Sequence, residues 1–190
     1  LISVLPQNSH DLSGERGLSD FHVKHRFTLN GTYDLPFVFP FVSDGGRWQV
    51  QVAAILASGS PLSAILATDV AGTGSPIVNR PNLVGDPKIS NPGPSRFFNT
   101  EAFEVPEFGQ FGNSGRNVIP GPGLANFDIA LLRDFRLSEQ LAAELRVDFY
   151  NAFNHPNFVA PPTMQNFADS PDFGALFVAR SPRIVQMGIQ

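Results

Sequence analysis

The residues whose types could do chemistry are the 4 histidines and a short series of glutamates. His22 and His25 are three positions apart in a stretch that is typical of a strand. Their side chains would then point to opposite faces and could not bind one metal ion together. His10 and His155 are isolated in the sequence, which favours structural or loop roles. The patterns HExxH, P-loop and GxSxG, which mark metalloproteases, nucleotide-binding loops and serine hydrolases, are absent.

Two further patterns are typical of loops. Glu101, Glu104 and Glu107 recur every three residues, and carboxylates are calcium ligands, but Pro106 and the flanking loop favour a solvated surface. Residues 121–126, GPGLAN, begin like a dinucleotide-binding fingerprint, yet the third glycine is missing and the run follows a loop, so a turn is favoured. We therefore expect a protein that is not an enzyme, with no catalytic residue, no metal site and no cofactor.

Composition argues against several other classes of function. The net charge is −4 and the 13 basic residues are scattered, so we expect no nucleic-acid partner. Charged residues make up 16% of the chain, against about 25% in typical soluble domains. Cysteine is absent, which excludes disulfides and thiolate zinc sites, and no apolar run approaches the ~18 residues of a membrane-spanning helix. A surface this poor in charge is not suited to full exposure to water.

Strands with alternating side chains are the elements that must position the polar residues. The clearest is 141–150, where Leu, Ala, Leu, Val and Phe fall on one face and Ala, Glu, Arg, Asp and Tyr on the other. The same period of two predicts strands over 20–35, 48–57, 126–137 and 183–190. Residues 62–67 are interpreted as a ragged continuation of the second strand. Residues 138–141 also fit the start of an amphipathic helix, but the β-branched and aromatic run 147–150 favours a strand.

The connections between these strands alternate between short and long. The links at 36–47 and near Ser138 are short, whereas 58–125 and 154–182 are long. Compact soluble domains rarely hold a loop beyond about 12 to 15 residues, but outer-membrane barrels have short periplasmic turns and long extracellular loops. The sequence therefore predicts an all-β fold: antiparallel strands of a transmembrane β-barrel, present as an open curved sheet of about five strands with long extracellular loops.

The cost of charge in lipid assigns the two faces of the strands. An Arg on the lipid face at mid-bilayer costs roughly 2 to 4 kcal/mol, and Asp or Glu somewhat less. The residues predicted to face the lumen are Arg26, Gln51, Glu144, Arg146, Asp148 and Tyr150. Arg133 lies on the apolar register and is an exception, which requires a place near the periplasmic rim where its side chain can snorkel. The aromatic residues predicted to form an extracellular ligand surface are Phe97, Phe98, Phe103, Phe108 and Phe111.

Six runs along the chain, taken in order, resemble the C-terminal barrel region of Oar-like TonB-dependent outer-membrane receptors. They are RGLSDFHVKHRFTLNGTYDLPF (16–37), RPNLVGDP (80–87), FFNTEAF (97–103), FGNSGRNVIPGPGLANFDIALLRDFRL (111–137), FYNAFNHPNF (149–158) and PRIVQMGI (182–189). The resemblance implies a plugged barrel of about 22 strands that imports or handles a bulky ligand with energy relayed from the inner membrane. The implied partners are the lipid bilayer of the outer membrane, the TonB complex through a missing N-terminal region, and an unknown extracellular ligand.

The ends of the chain suggest a piece of a longer protein. The sequence begins at Leu1 and stops on Gln190 within an alternating run, so we expect residues 1–190 to be the C-terminal segment of a receptor barrel in the cell outer membrane, without its plug and N-terminal strands. Members of the family usually continue to a terminal aromatic residue, and Gln190 stops short of one. The alternative is a soluble secreted all-β ligand- or glycan-binding module. For the ligand, siderophore, oligosaccharide and peptide all stay open.

Overall fold

The chain divides into two compact units in the computed structural model, which describes residues 5–36, 46–75, 78–136, 138, 140–159 and 167–190. One unit, the sheet unit, comprises His25–Ala57, Leu124–Asn157 and Arg180–Gln190. The other, the loop unit, comprises Leu1–Lys24, Ser58–Gly123 and Phe158–Ala179. Among the described residues, no helix combines the length and apolar character needed to traverse a membrane.

The sheet unit is one antiparallel sheet of five strands. Its strands are β1 (Arg26–Leu35), β2 (Trp48–Ala57), β5 (Leu124–Arg136), β6 (Ala142–Tyr150) and β7 (Ile184–Ile189), and they pair in that order. β1 and β7 are the two edges, and within the described residues each has one neighbour. The predicted all-β fold, with antiparallel strands in an open curved sheet, is confirmed.

The strand bounds follow the predicted pattern except where other contacts compete. The second predicted strand, 48–57, is confirmed residue for residue as β2. β1 begins at Arg26 rather than at 20, because the Asp20 carboxylate accepts a hydrogen bond from Asn117 Nδ2 at 2.7 Å inside the loop unit. The interpretation of 62–67 as a strand continuation was wrong, since Leu62 and Ile65 form only isolated bridges. Residues 142–150 are a strand and not a helix.

The loop unit has its own hydrophobic core although it contains little regular structure. A short ladder pairs β3 (Asn82–Leu83) with β4 (Phe103–Glu104), and two single 3-10 turns cover Ser13–Glu15 and Thr100–Ala102. Three phenylalanine rings meet edge to face: the centroids of Phe98 and Phe103 are 5.9 Å apart, and that of Phe173 lies 5.0 Å from Phe98 and 5.5 Å from Phe103. The buried members of this core are Ala64, Phe98, Ala102, Phe103 and Ile119.

A largely buried ion-pair cluster joins the N-terminal segment of the loop unit to the rest of it. The Glu15 carboxylate accepts hydrogen bonds from Arg80 at 2.8 Å, from Arg116 Nε at 2.5 Å and from the backbone N–H of Gln7 at 2.9 Å. Burial alone would raise the pKa of Glu15, but these donors outweigh it and lower that pKa from 4.5 to about 2. Glu15 is therefore charged at neutral pH and holds segments distant in sequence together.

Candidate functional site: the polar face of the sheet

The register of the five strands brings the predicted lumen residues to one face of the sheet. Residues that pair directly in an antiparallel ladder point to the same side, and Thr32, Gln51, Ala130 and Asp148 form one continuous row of such pairs. By the same pairing, this face, called the polar face below, carries all six residues of the predicted set: Arg26, Gln51, Glu144, Arg146, Asp148 and Tyr150.

The opposite side, called the apolar face, is almost uniformly hydrophobic. Its residues are Phe27, Leu29, Gly31, Tyr33, Leu35, Trp48, Val50, Val52, Ala54, Leu56, Ala125, Phe127, Ile129, Leu131, Arg133, Phe135, Ala143, Leu145, Val147, Phe149, Val185, Met187 and Ile189. Several are widely exposed, including Met187 at 74% and Ile189 at 81%. A contiguous exposed apolar surface marks contact with another apolar phase or partner.

Arg133 is the exception on the apolar face, and the structure shows how it is accommodated. It pairs with Trp48, the first residue of β2, and is only 7% exposed. Its guanidinium carbon lies 5.0 Å from the Trp48 ring centroid and 4.6 Å from that of Phe135. Such cation–π contacts stabilise a desolvated cation. The sequence analysis identified the exception but missed this aromatic clamp, for which the cross-strand register was needed.

Most charges on the polar face near β2 and β6 are satisfied within it. Arg146 binds Asp148 on the same strand at 2.8 Å. Gln49 Nε2 donates to Asp34 at 2.8 Å, and Gln51 Nε2 donates to Gln49 at 3.0 Å. In this part of the face, Arg146 and Asp148 thus neutralise each other, and Asp34 is held by the glutamine amides.

The polar face contains several depressions, among them a small one of about 190 Å³ lined by Asp34, Arg47, Gln49, Leu132, Asp134 and Glu144, and two larger ones share lining residues. The larger, about 420 Å³, is lined by Asn30, Gly31, Thr32, Gln51, Val52, Ala53, Asp128, Ile129, Ala130, Arg146, Asp148, Phe149 and Tyr150. The second, about 310 Å³ and called the Tyr150 cleft, is lined by Ile55, Leu124, Asn126, Asp128, Tyr150, Asn151, Arg180, Ser181, Pro182 and Ile184. Asp128 and Tyr150 line both.

Asparagines after β6 fix the strand ends around the Tyr150 cleft. Asn151 has a φ of 47°, its N–H donates to Asp128 at 2.8 Å, and its amide donates to the Ser181 carbonyl at 3.2 Å. Asn157, only 2% exposed, accepts from the N–H of Ala125 at 2.8 Å and donates to the carbonyl of the same residue at 3.0 Å. The side chain of Asn157 thus replaces a strand partner for the first residues of β5. Asparagine tolerates the positive φ seen at Asn151, but no local pattern of the sequence indicates the contact of Asn157 with β5.

The phenylalanines predicted to form one ligand surface lie in different environments, some in the core of the loop unit and some exposed. Phe98 and Phe103 are 2% and 8% exposed in the loop-unit core, and Phe97 packs against that core. The structure corrects the prediction for Phe98 and Phe103, because rings buried among other rings cannot contact an external ligand. Phe108 and Phe111 are 86% and 40% exposed, and their role in ligand binding stays a prediction.

The other chemical patterns occupy ordinary positions. His22 and His25 precede β1 rather than lie on it, so the prediction that they point to opposite faces of a strand was wrong in its premise. Glu101 is exposed and faces Arg96 at 3.4 Å. Over the described part of the chain, no group of three or more His, Cys, Asp or Glu residues is placed to hold a metal ion. At Gly121 a Cβ would lie 2.1 Å from the Ser60 carbonyl oxygen, which explains the glycine in GPGLAN by close backbone approach.

A strand-by-strand division into a polar face and an exposed apolar face defines the wall of a transmembrane β-barrel. The sequence model of one protein family, described as outer membrane beta barrel domain, matches residues 3–186, and the chain belongs to that family. The protein is accordingly a component of the outer membrane. Membership of this family argues against the soluble secreted module. It supports an outer-membrane β-barrel, which is a broader class than the predicted Oar-like TonB-dependent receptor. No curated protein and no solved structure matches the chain.

Proposed function

We propose that this chain forms part of an Oar-like, TonB-dependent outer-membrane receptor that binds a bulky extracellular ligand and imports it, and that it is not an enzyme. The observation that carries the proposal is the division of all five strands into the polar and apolar faces, with Arg133 as the charged exception on the apolar face. With the apolar face against lipid, the charged side chains Arg26, Arg146 and Asp148 avoid the bilayer and line a wet lumen.

The connections support a receptor rather than a simple pore. The ends of the strands at Arg26, Ala57 and Leu124 pair with one another, so the segment before β1 and the long link from β2 to β5 leave the same end of the sheet. The long link from β6 to β7 leaves that end too, because Tyr150 pairs with Ile184. Parts of these segments fold into the loop unit with its own core. A folded extracellular region of this size suits the handling of a large ligand.

The TonB partner rests on the ordered resemblance of six runs to Oar-like receptors. A barrel closed by a plug needs an input of energy to release a bulky ligand inward, and the outer membrane has no energy source of its own. In this proposal the TonB complex contacts the N-terminal region of the full-length protein, the lipid bilayer contacts the apolar face, and the ligand enters from the side of the long connections.

Cysteine labelling tests the assignment of the faces. Adjacent residues of β2 provide a matched pair, since Gln51 lies on the polar face and Val52 on the apolar face, and the chain contains no cysteine of its own. In the full-length protein, cleared of other cysteines and assembled in outer membranes, Gln51→Cys should react with a small charged methanethiosulfonate reagent and Val52→Cys should not. Equal labelling of both, or the reverse order, would contradict the assignment, and labelling in urea shows that both thiols are competent.

An uptake assay tests transport. Cells with and without the full-length gene are compared for uptake of ferric hydroxamate siderophores, neutral oligosaccharides and a defined peptide mixture, each with and without a protonophore. We expect one probe class to enter only when the gene is present and the inner membrane is energised. Gene-dependent uptake that persists at the same rate with the protonophore would overturn energy coupling.

A further inference from the structure

The Tyr150 cleft contains hydrogen-bonding groups that the fold itself does not use. The Asp128 carboxylate is held through Oδ1 by Asn126 Nδ2 at 2.9 Å and by the N–H of Asn151 at 2.8 Å. Within the described residues, Asp128 Oδ2, the Tyr150 hydroxyl and the Arg180 guanidinium have no hydrogen-bond partner in the protein. One acceptor, one group that both donates and accepts, and one multiple donor therefore line the same cleft.

We propose that the Tyr150 cleft binds a neutral, hydroxyl-rich ligand, that is, a saccharide. This inference rests on the proposed receptor function and names its ligand class. Sugar hydroxyls donate and accept at once, so they can satisfy Asp128, Tyr150 and Arg180 together. The volume of about 310 Å³ is at the lower end of the usual range for small-molecule sites and fits one or two sugar rings. The cleft shares two lining residues with the larger depression.

The charge balance of the cleft favours a neutral ligand over an ionic one. Among the described residues, two charged groups line the cleft, Asp128 and Arg180, and their charges are opposite. In the adjoining depression Arg146 is already paired with Asp148 at 2.8 Å. No surplus of positive charge is therefore available for an anionic metal chelate.

Apolar surface in the cleft completes the match to a sugar. Tyr150 is 43% exposed and Ile184 is 49% exposed, and the two residues pair across β6 and β7. The ring of a tyrosine can contact the C–H face of a sugar while the tyrosine hydroxyl forms a hydrogen bond with a sugar hydroxyl. The polar groups of the cleft thus complement the hydroxyl groups of a pyranose, and this apolar patch complements its C–H face.

The cleft is held in shape before any ligand arrives. The segment that carries Arg180 is anchored because its N–H donates to the Asn157 carbonyl at 2.7 Å. The next residue, Ser181, accepts from the Asn151 amide at 3.2 Å. Preorganisation of this kind lowers the entropy cost of binding, so modest hydrogen bonds suffice for measurable affinity.

Calorimetric titration of the full-length protein tests the proposal. The protein is held in a detergent without a sugar headgroup and titrated with maltoheptaose, cellohexaose and mannopentaose, and separately with an oligogalacturonate, a tetra-alanine peptide and a ferric hydroxamate. We expect a neutral oligosaccharide to bind. Arg180→Gln and Tyr150→Phe should each weaken that binding by about tenfold, as expected for the loss of a ligand hydrogen bond. Arg183→Gln is the matched control, because Arg183 is an exposed arginine three residues away that does not line the cleft.

The outcomes separate this inference from the proposed function. Binding of none of the neutral oligosaccharides, or equal weakening by Arg180→Gln and Arg183→Gln, overturns the saccharide site. If the peptide or the ferric hydroxamate still enters cells in a protonophore-sensitive way, the receptor function stands while the saccharide site falls. Neutral oligosaccharide binding that Tyr150→Phe and Arg180→Gln both leave unchanged places the sugar elsewhere and also overturns the inference.

Discussion

Glu15 is the single residue on which the loop unit depends most for its ionic contacts. Its carboxylate is 13% exposed and binds Arg80, whose side chain is 5% exposed. Glu15→Gln would leave two guanidinium groups without their counter-charge, one of them buried, which costs roughly 2 to 4 kcal/mol. We expect faster amide hydrogen exchange around Arg80 and Arg116 in the full-length protein. Glu101→Gln is the control, because Glu101 is 80% exposed in its pair with Arg96 and should change little. Equal effects of the two substitutions would contradict the assigned role of Glu15.

The same carboxylate makes the loop unit sensitive to acid in a defined window. Because the folded-state pKa of Glu15 is lowered to about 2 from an ordinary 4.5, its contribution is fully present above pH 4.5. That contribution falls as the pH drops from about 4.5 towards 2, where the folded state must also take up the proton. In the wild type, the protection of backbone amides around Arg80 against hydrogen exchange should fall over the same pH range. In Glu15→Gln this protection should depend less on pH.

At the residue scale, parity along the strands was sufficient to predict the polar face. Gln51 and Asp148 lie two strands apart in the sheet, yet each was placed by its own local alternation. The burial of Phe98 and Phe103 could not be predicted in this way. Their ring partner Phe173 comes from a different long connection, and no local pattern reports a contact between two loops.

At the scale of the element, Asn157 secures the start of β5 on the side away from β2, with which Leu124 and Ala125 pair. Its amide substitutes for a strand partner of Ala125 through two hydrogen bonds. Asn157→Ala would leave the half-buried N–H and carbonyl of Ala125 without this partner, at a cost of about 1 kcal/mol or more. We expect the thermal unfolding of the assembled full-length barrel, followed by its heat-modifiable mobility in gels, to shift to lower temperature. Asn30→Ala on exposed β1 should leave the transition in place, and an equal shift in both variants would argue against a specific role for Asn157.

The strand bounds show what competes with alternation. β2 pairs with β1 and with β5 along its whole length and matches its predicted range. β1 lacks its first six predicted residues, and five of them, 20–24, belong to the loop unit, where Asn117 binds Asp20 and the Leu18 carbonyl at 2.7 Å each. β5 starts two residues before its predicted start because Leu124 and Ala125 pair with Ala57 and Leu56 of β2. Contacts with segments distant in the sequence thus determine where β1 and β5 begin, while the interiors of the strands follow the alternation of the sequence.

At the scale of the whole molecule, the sheet unit has two features that are unfavourable in water, namely unpaired strand edges and an exposed apolar face. Its edges β1 and β7 each pair on one side only within the described residues, and unpaired strand edges promote association between chains. Its apolar face also exposes large side chains, with Met187 at 74% and Tyr33 at 63%. In an outer-membrane barrel, lipid covers the face and further strands cover the edges.

We therefore expect the 190-residue chain, produced alone, to associate in aqueous buffer and to disperse in mild detergent. Size-exclusion chromatography with light scattering measures this directly. Leu29→Lys and Met187→Lys place a charge on the apolar face at β1 and β7, and together they should reduce association in buffer. Thr28→Lys and Gln186→Lys place the same charges on the polar face of the same strands and serve as the matched control, with a smaller effect expected. A monomer that unfolds cooperatively in plain buffer would contradict the expectation, since such a chain buries enough apolar surface without lipid or further strands.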